Sequence, residues 1–278
     1  MRKVILITIN KRNIVKNIIL ISLFSLFFLS GSFKETNVNK SAYQVKKIVI
    51  DAGHGGKDSG TVGKNCLEKD VVLSIALKLG DIIKENLKDV EVIYTRDDDT
   101  FVPLDKRAEI ANKNDADLFI SIHANSEPKG HHSAYGTETY VMGEHTSDRN
   151  LEIAKKENSV ILMEENYEEK YEGFDPNSPE SYILFSLYQS AYVYNSLKLA
   201  EYIEDQFKNR VKRNSRGVKR AGFIVLWKTA MPSVLTEVGY LSNREEEIYL
   251  KDPLSQVYVA SGIFRAIRDY KEEIESAN

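Results

Sequence analysis

The chain has 278 residues, with 38 lysines and arginines against 41 aspartates and glutamates, a net charge of −3. That balance lacks the basic footprint that nucleic acid requires and gives no electrostatic attraction to an anionic membrane surface. A single cysteine, Cys66, rules out an intrachain disulfide framework and reads as a packed or incidental thiol.

Residues 1–32 stand apart. Arg2, Lys3, Lys11, Arg12 and Lys16 precede the apolar run from Ile18 to Leu29, which gives way to Ser30-Gly31-Ser32. A basic region, an apolar core and small residues are the three parts of a secretory signal. The run is shorter than the ~20 residues that span a bilayer. It lacks a clean small-x-small cleavage box, so a retained N-terminal anchor is the alternative, and no cysteine lies beside it to carry a lipid. Either way the chain is expected to be exported, to the periplasm or cell envelope. Without the five basic residues of 1–33, 33 basic face 41 acidic residues, a net charge of −8. Residues 33–45 read as a polar linker. The remainder, 46–278, is long enough for one domain with a full core.

From Lys46 strands and helices alternate, the pattern of an α/β domain. A strand begins at Lys47 and leads to Gly53-His54-Gly55-Gly56. Leu67, Val71, Ile75, Leu79 and Ile82 then recur at helical spacing and predict an amphipathic helix over 66–87. Val90–Tyr94 is a second strand, and Pro103 opens a helix to about Asn114. Asp117–Asn125 is a third strand, ending in His123-Ala124-Asn125. After a Gly-, His-, Ser- and Pro-rich loop comes a strand over 137–142. The stretch 147–210 is helical in pattern but broken by the run from Gly173 to Pro179, with a long helix expected from about Glu180 to Asn209. Strands near Phe223–Leu226 and Ser233–Gly239 and closing helices from Asn243 complete the chain.

Gly53-His54-Gly55-Gly56-Lys57 is not a nucleotide loop. A Walker loop needs Gly where Asp51 stands and Ser or Thr where Asp58 stands, and a dinucleotide fingerprint needs Gly at 58. The chemistry of the residues points to a metal instead. A catalytic zinc takes three protein ligands, commonly histidines and a carboxylate, and keeps a fourth position for water. His54 and His123 both leave apolar strands between small residues, at the strand ends where α/β sites form. Glu68, at the start of the following helix, fits as third ligand, with Asp58 and Asp70 as competitors. Glu237, ending an apolar strand, is the candidate general base, because partial desolvation raises a carboxyl pKa. Asp51 and Ser121 lie where they would orient the imidazoles. His131, His132 and His145 are loop histidines.

Four segments in order, Ile50–Gly56, Leu67–Asp70, Ser121–Asn125 and Thr236–Asn243, resemble the zinc-dependent N-acetylmuramoyl-L-alanine amidases of peptidoglycan (amidase family 3). The resemblance runs from about 46 to 274. It implies a single α/β domain with a twisted, mixed, mostly parallel sheet flanked by helices on both faces. It implies one zinc ion per chain held by His54, Glu68 and His123, with Glu237 as catalytic glutamate. Asn125, just beyond a ligand in the sequence, is the candidate substrate contact. The implied reaction is hydrolysis of the amide between the muramyl lactyl group and L-Ala, with peptidoglycan as partner, in wall remodelling or daughter-cell separation. Rival readings are a zinc carboxypeptidase or deacetylase acting on the wall, and a catalytically silent wall-binding module. Some division amidases of this kind carry an inserted helix that covers the zinc until an activator protein displaces it. Here the insertion is expected at about 158–187, with Glu164 and Glu165 as candidate regulatory acids that block the metal.

Overall fold

The computed structural model describes residues 43–276, apart from Lys129 and 187–190. The expected signal or anchor at 1–32 and most of the linker at 33–45 lie outside the described residues. Among the described residues no helix is long and apolar enough to cross a membrane.

The strands are β1 (Lys47–Ala52), β2 (Glu91–Tyr94), β3 (Leu118–Asn125), β4 (Thr137–Met142), β5 (Ser215–Ala221) and β6 (Ser233–Tyr240). The helices are α1 (Glu68–Asn86), α2 (Leu104–Lys113), α3 (Asp148–Asn158), α4 (Tyr167–Lys170), α5 (Pro179–Ser186), α6 (Val193–Gln206), α7 (Ile224–Trp227), α8 (Arg244–Lys251) and α9 (Pro253–Ser276). The strands form one sheet in the order β2-β1-β3-β6-β4-β5, parallel throughout except where β4 meets β6. This is the expected α/β fold with a mixed, mostly parallel sheet.

Both faces of the sheet are covered, which is why its central strands read as continuous apolar runs rather than alternating ones. Alternate side chains serve two cores. Ile48, Ile50, Ile120, Ile122, Val234 and Val238 pack with α1, α6 and α9. Val49, Phe119, Tyr140 and Leu235 pack with α2, α3 and the segment around Tyr171 and Phe223. By the same two-residue period, Asp51, His123, Glu237 and Glu138 all point to the second face.

Two expectations from the sequence are corrected, and one unexpected strand is added. The segment Phe223–Leu226 is not a strand, since Ile224–Trp227 forms one helical turn. The strand β5 lies just before it, in the polar sequence Ser-Arg-Gly-Val-Lys-Arg-Ala, and was hidden by that polarity at the sheet's edge. The long helix expected over 180–209 is instead two helices, α5 and α6.

Two buried arginines set the loop after β1. Arg107 donates to Asp51 Oδ1 (2.8 Å) and to the carbonyls of Ala52 (2.7 Å), His54 (2.7 Å) and Val102 (2.9 Å). Arg96 donates to the carbonyls of Ala52 (2.9 Å), Gly53 (2.7 Å), Lys69 (2.9 Å) and Asp98 (2.8 Å). The Asp51 carboxylate also accepts from Thr95 and Ser121, each at 2.6 Å. Burial opposes its charge, but Arg107 and these hydroxyls hold Asp51 below the usual carboxylate range. Arg107→Leu is expected to cost about 3–5 kcal/mol, because it strands a buried carboxylate without its cation. A urea midpoint lowered at unchanged slope checks this.

Candidate metal centre and active site

The site forms on the second face, at the carboxyl ends of β1, β3 and β6. His54 follows β1 in a left-handed backbone conformation, φ +61°, held by the arginine contacts to the carbonyls around it. His123 lies within β3, directly beside Glu237 of β6 in the parallel register. Two glycines make the approach of these groups possible. A Cβ at Gly53 would fall 2.4 Å from the His123 ring, and one at Gly60 would fall 2.5 Å from His54 and 2.7 Å from Glu68 Oε2.

Four side chains converge: His54, Glu68, His123 and Glu157, each offering a donor atom within 4.8 Å of the others. His54 Nε2 lies 3.1 Å from Glu68 Oε1 and 3.3 Å from Glu157 Oε2. His123 Nδ1 lies 3.3 Å from Glu68 Oε1 and 3.2 Å from Glu157 Oε2. A tetrahedral ion with bonds of about 2.1 Å separates its donors by ~3.4 Å, so these spacings suit zinc. His54 Nε2, His123 Nδ1 and Glu157 Oε2 are moreover buried without a hydrogen-bond partner. Buried polar atoms are rarely left so, and a metal would satisfy all three.

The remaining atoms of these groups are fixed. His54 Nδ1 stands 2.7 Å from Asp58 Oδ2, which sets the tautomer that turns Nε2 to the cluster. Asp58, a competitor for third ligand on sequence grounds, thus faces the far side of the ring. Glu68 Oε2 accepts from the Thr61 amide (2.7 Å) and Oε1 from the Ala124 amide (2.8 Å). Asp70, the other competitor, is exposed. Asp51 and Ser121 bond each other rather than either imidazole, so the orienting role expected of them belongs to Asp58.

Charge within the cluster is strongly coupled. Burial disfavours protonation of both histidines. Glu68, Asp58 and Glu157 nevertheless push His54 well above its ordinary pKa, and Glu157 and Glu68 push His123 up to about 9. Glu237 is fully buried, and neither carboxylate oxygen has a hydrogen-bond partner. Burial first, and the Glu157 charge second, raise it well above the ordinary carboxyl range. Lys156 Nζ binds Glu157 (3.0 Å) and Thr61 Oγ1 (2.8 Å) and offsets part of the acidic charge.

Other sequence candidates lie elsewhere. Asn125 is 1 % exposed. Its amide donates to Glu138 (2.9 Å) and its oxygen accepts from the Ser126 amide (2.7 Å), so it does not present itself to a substrate here. Glu164 is not near the metal donors; it accepts from the Leu104 amide (3.2 Å) at the start of α2 and from Tyr171 Oη (2.9 Å). Glu165 is exposed. The acid that reaches the cluster is Glu157, on the last turn of α3, one residue before the expected insertion. Its signal is present in the sequence: Asn150, Ile153, Ala154 and Glu157 share the buried face of an amphipathic helix, and an acid on such a face requires a partner. Cys66 is half-buried, its thiol pushed up to about 12 by burial and by Glu247, which fits no nucleophile.

A model of the family described as N-acetylmuramoyl-L-alanine amidase matches residues 48–269. The N-acetylmuramoyl-L-alanine amidase AmiA of Escherichia coli K12 is 35% identical over 229 residues, covering 80% of this chain and 75% of that protein. The catalytic domain of CwlV, an N-acetylmuramoyl-L-alanine amidase from Bacillus (Paenibacillus) polymyxa, superimposes with a TM-score of 0.60 at 35% identity, over 82% of this chain and 98% of that one. The CwlD amidase of Clostridioides difficile, solved in complex with the GerS lipoprotein, gives a TM-score of 0.60 at 27% identity, over 82% and 99% of the two chains.

Proposed function

The chain belongs to the N-acetylmuramoyl-L-alanine amidases of peptidoglycan, and from that premise we propose that His54, Glu68 and His123 hold one zinc ion against which Glu237 works as general base. The observation that carries this reading is the buried convergence of His54, Glu68, His123 and Glu157, with His54 Nε2 and His123 Nδ1 left without hydrogen-bond partners, beside an unpartnered carboxylate one strand away. Bound there, zinc supplies a Lewis acid for the scissile carbonyl and lowers the pKa of a bound water. Glu237 accepts the proton of the attacking water and returns it to the L-Ala nitrogen as the amide breaks. Asp58 holds the His54 tautomer, and the Thr61 and Ala124 amides hold Glu68, so the donor set is assembled before substrate arrives. The products are a bare glycan strand and a free stem peptide, which separates this reaction from a carboxypeptidase, whose product is D-Ala. Digestion of purified sacculi, with zinc and with chelator, and mass analysis of the released peptides test the reading.

We propose that Glu157, whose carboxylate reaches the same donors, would take the position a zinc-bound water needs, which makes α3 an inhibitory element displaced in the cell by an activator protein. The complex of the CwlD amidase with the GerS lipoprotein supports a protein partner. We further read the chain as exported, to the periplasm or cell envelope, for wall remodelling or cell separation. Glu157→Ala is expected to raise sacculus hydrolysis without any partner by about tenfold or more, since removal of the blocking ligand shifts the closed and open populations. Changing Glu164 and Glu165 to Ala together is expected to leave the rate unchanged. An unchanged rate in a folded, zinc-loaded Glu157→Ala protein would overturn the inhibitory role.

A further inference from the structure

The second face carries a buried carboxylate that neither zinc binding nor proton transfer uses. Glu138 of β4 pairs in antiparallel register with Glu237, which in turn pairs with His123. The three side chains therefore stand in a row on one face of the sheet. Two strand spacings of about 4.8 Å place Glu138 ~10 Å from the metal-facing histidine.

Glu138 is wholly buried. Its Oε1 accepts from Asn125 Nδ2 (2.9 Å), Tyr240 Oη (2.8 Å) and Arg149 (3.2 Å), and its Oε2 from Arg149 (3.4 Å). Arg216 Nε lies 3.5 Å from Oε2. Arg149 also bonds Tyr240 and lies over its ring. Arg149 and Glu157 sit on the same helix, eight residues and so about 12 Å apart. One therefore reaches Glu138 while the other reaches the metal donors. The carboxylate of α3 stands at the metal donors, and its cation stands one row further on.

When α3 leaves, Glu138 loses its forked cation and keeps only Tyr240, Asn125 and the more distant Arg216. A buried carboxylate that has lost one of its two cations favours another cation in the vacated position. Glu138 lines no cavity itself, but Arg149, the part-exposed cation that bonds it, lines one of about 520 Å³ with Ser126, Glu127, His131, Ile153 and Lys156. Peptidoglycan stems carry a diamino acid as third residue. In an extended chain, at about 3.3 Å per residue and more across the γ-linked second residue, the backbone of that residue lies roughly 10 Å from the scissile bond, and its flexible side chain carries the ammonium group over a radius that includes the Glu138 position. We propose that Glu138 is the subsite for this ammonium group of the stem peptide, and that Arg149 occupies it in the closed state. The proposal rests on the amidase reading of the neighbouring cluster and adds to it a specificity residue. In the sequence Glu138 is only one polar residue of a strand, and its role follows from the register with Glu237.

The test compares two substrates, muramyl-L-Ala-γ-D-Glu-L-Lys and the same peptide with norleucine for lysine, on the zinc-loaded Glu157→Ala chain with and without Glu138→Gln. With Glu138 present, kcat/KM is expected to favour the lysine peptide by about tenfold. With Glu138→Gln the ratio is expected to fall to about one. A ratio near one with Glu138 present, or an unaltered ratio in the variant, would overturn the subsite. Arg149→Ala covers the case in which Glu138→Gln does not fold. In the otherwise native chain it is expected to tighten calorimetric binding of L-Ala-γ-D-Glu-L-Lys by about tenfold and that of the norleucine peptide by less. Equal effects on the two peptides would overturn the proposal. Cleavage of both peptides at equal rates would sink the subsite and leave the amidase standing. Selective binding of the lysine peptide without cleavage of either would do the reverse.

Discussion

His123→Ala is expected to abolish hydrolysis and to weaken zinc binding by at least about 10²-fold, while the protein stays folded. The ring is one of three donors proposed for the open enzyme, and two donors do not close the coordination shell of a catalytic zinc. With Glu157 as the further donor proposed for the closed state, weak residual metal is compatible with the assignment, but turnover is not. The fold should tolerate the change for two reasons. Gly53 packs against the ring, so its loss leaves a small gap without strain. It also removes a buried imidazole whose neighbours Glu157 and Glu68 push it up to about 9, against the cost of burial. Metal content by mass spectrometry, with circular dichroism for the fold, checks the result, and His132→Ala, in an exposed loop, serves as the control. Stoichiometric, tightly held zinc in His123→Ala would overturn the assignment.

The parts of this site that were legible from sequence are those fixed by strand ends and chain-local spacing. His54 and His123 each end an apolar run, and Glu68 opens an amphipathic helix, so their positions follow from rules that act within a few residues. The register that places Glu237 beside His123 is long-range, and only the four ordered motifs anticipated the grouping. The acid that reaches the metal donors, Glu157, is hard to find in the sequence for a related reason. The densest acidic run, from Glu164 to Glu172, drew attention by composition, yet those residues lie beyond the 3₁₀ turn Ser159–Met163, which carries the chain away from the metal. A single acid on the buried face of α3 carries less compositional weight but sits where the helix points. Likewise β5 escaped notice because an edge strand rich in Arg and Lys lacks the apolar pattern of its neighbours. Asn125 and Asp51 show the opposite error. Both lie beside ligands in sequence, but alternation and packing turn their side chains into internal networks with Glu138 and Arg107.

Glu237→Gln is expected to separate binding from chemistry: zinc is retained and turnover falls by roughly 10²–10⁴. The amide has the shape of the carboxylate but does not accept the proton of water. Because neither oxygen of Glu237 has a hydrogen-bond partner, the change breaks no described bond, and a loss of rate therefore reports chemistry rather than a collapsed network. Stability gives an independent check with a definite sign. Burial and then the nearby Glu157 raise the carboxyl pKa well above its ordinary value. A carboxyl whose folded pKa exceeds its unfolded one favours the fold when protonated, and that stability is lost as pH rises above the unfolded value. At neutral pH the metal-free native protein therefore bears a cost that glutamine does not. The urea midpoint of metal-free Glu237→Gln should equal or exceed that of the wild type at pH 7, with the advantage vanishing near pH 4, where the carboxyl is protonated in both states. A residue kept for a structural salt bridge would show the opposite, a lower midpoint in the variant at pH 7. An inactive, zinc-loaded protein of undiminished stability identifies Glu237 as the base, whereas near wild-type hydrolysis of sacculi would place the base elsewhere.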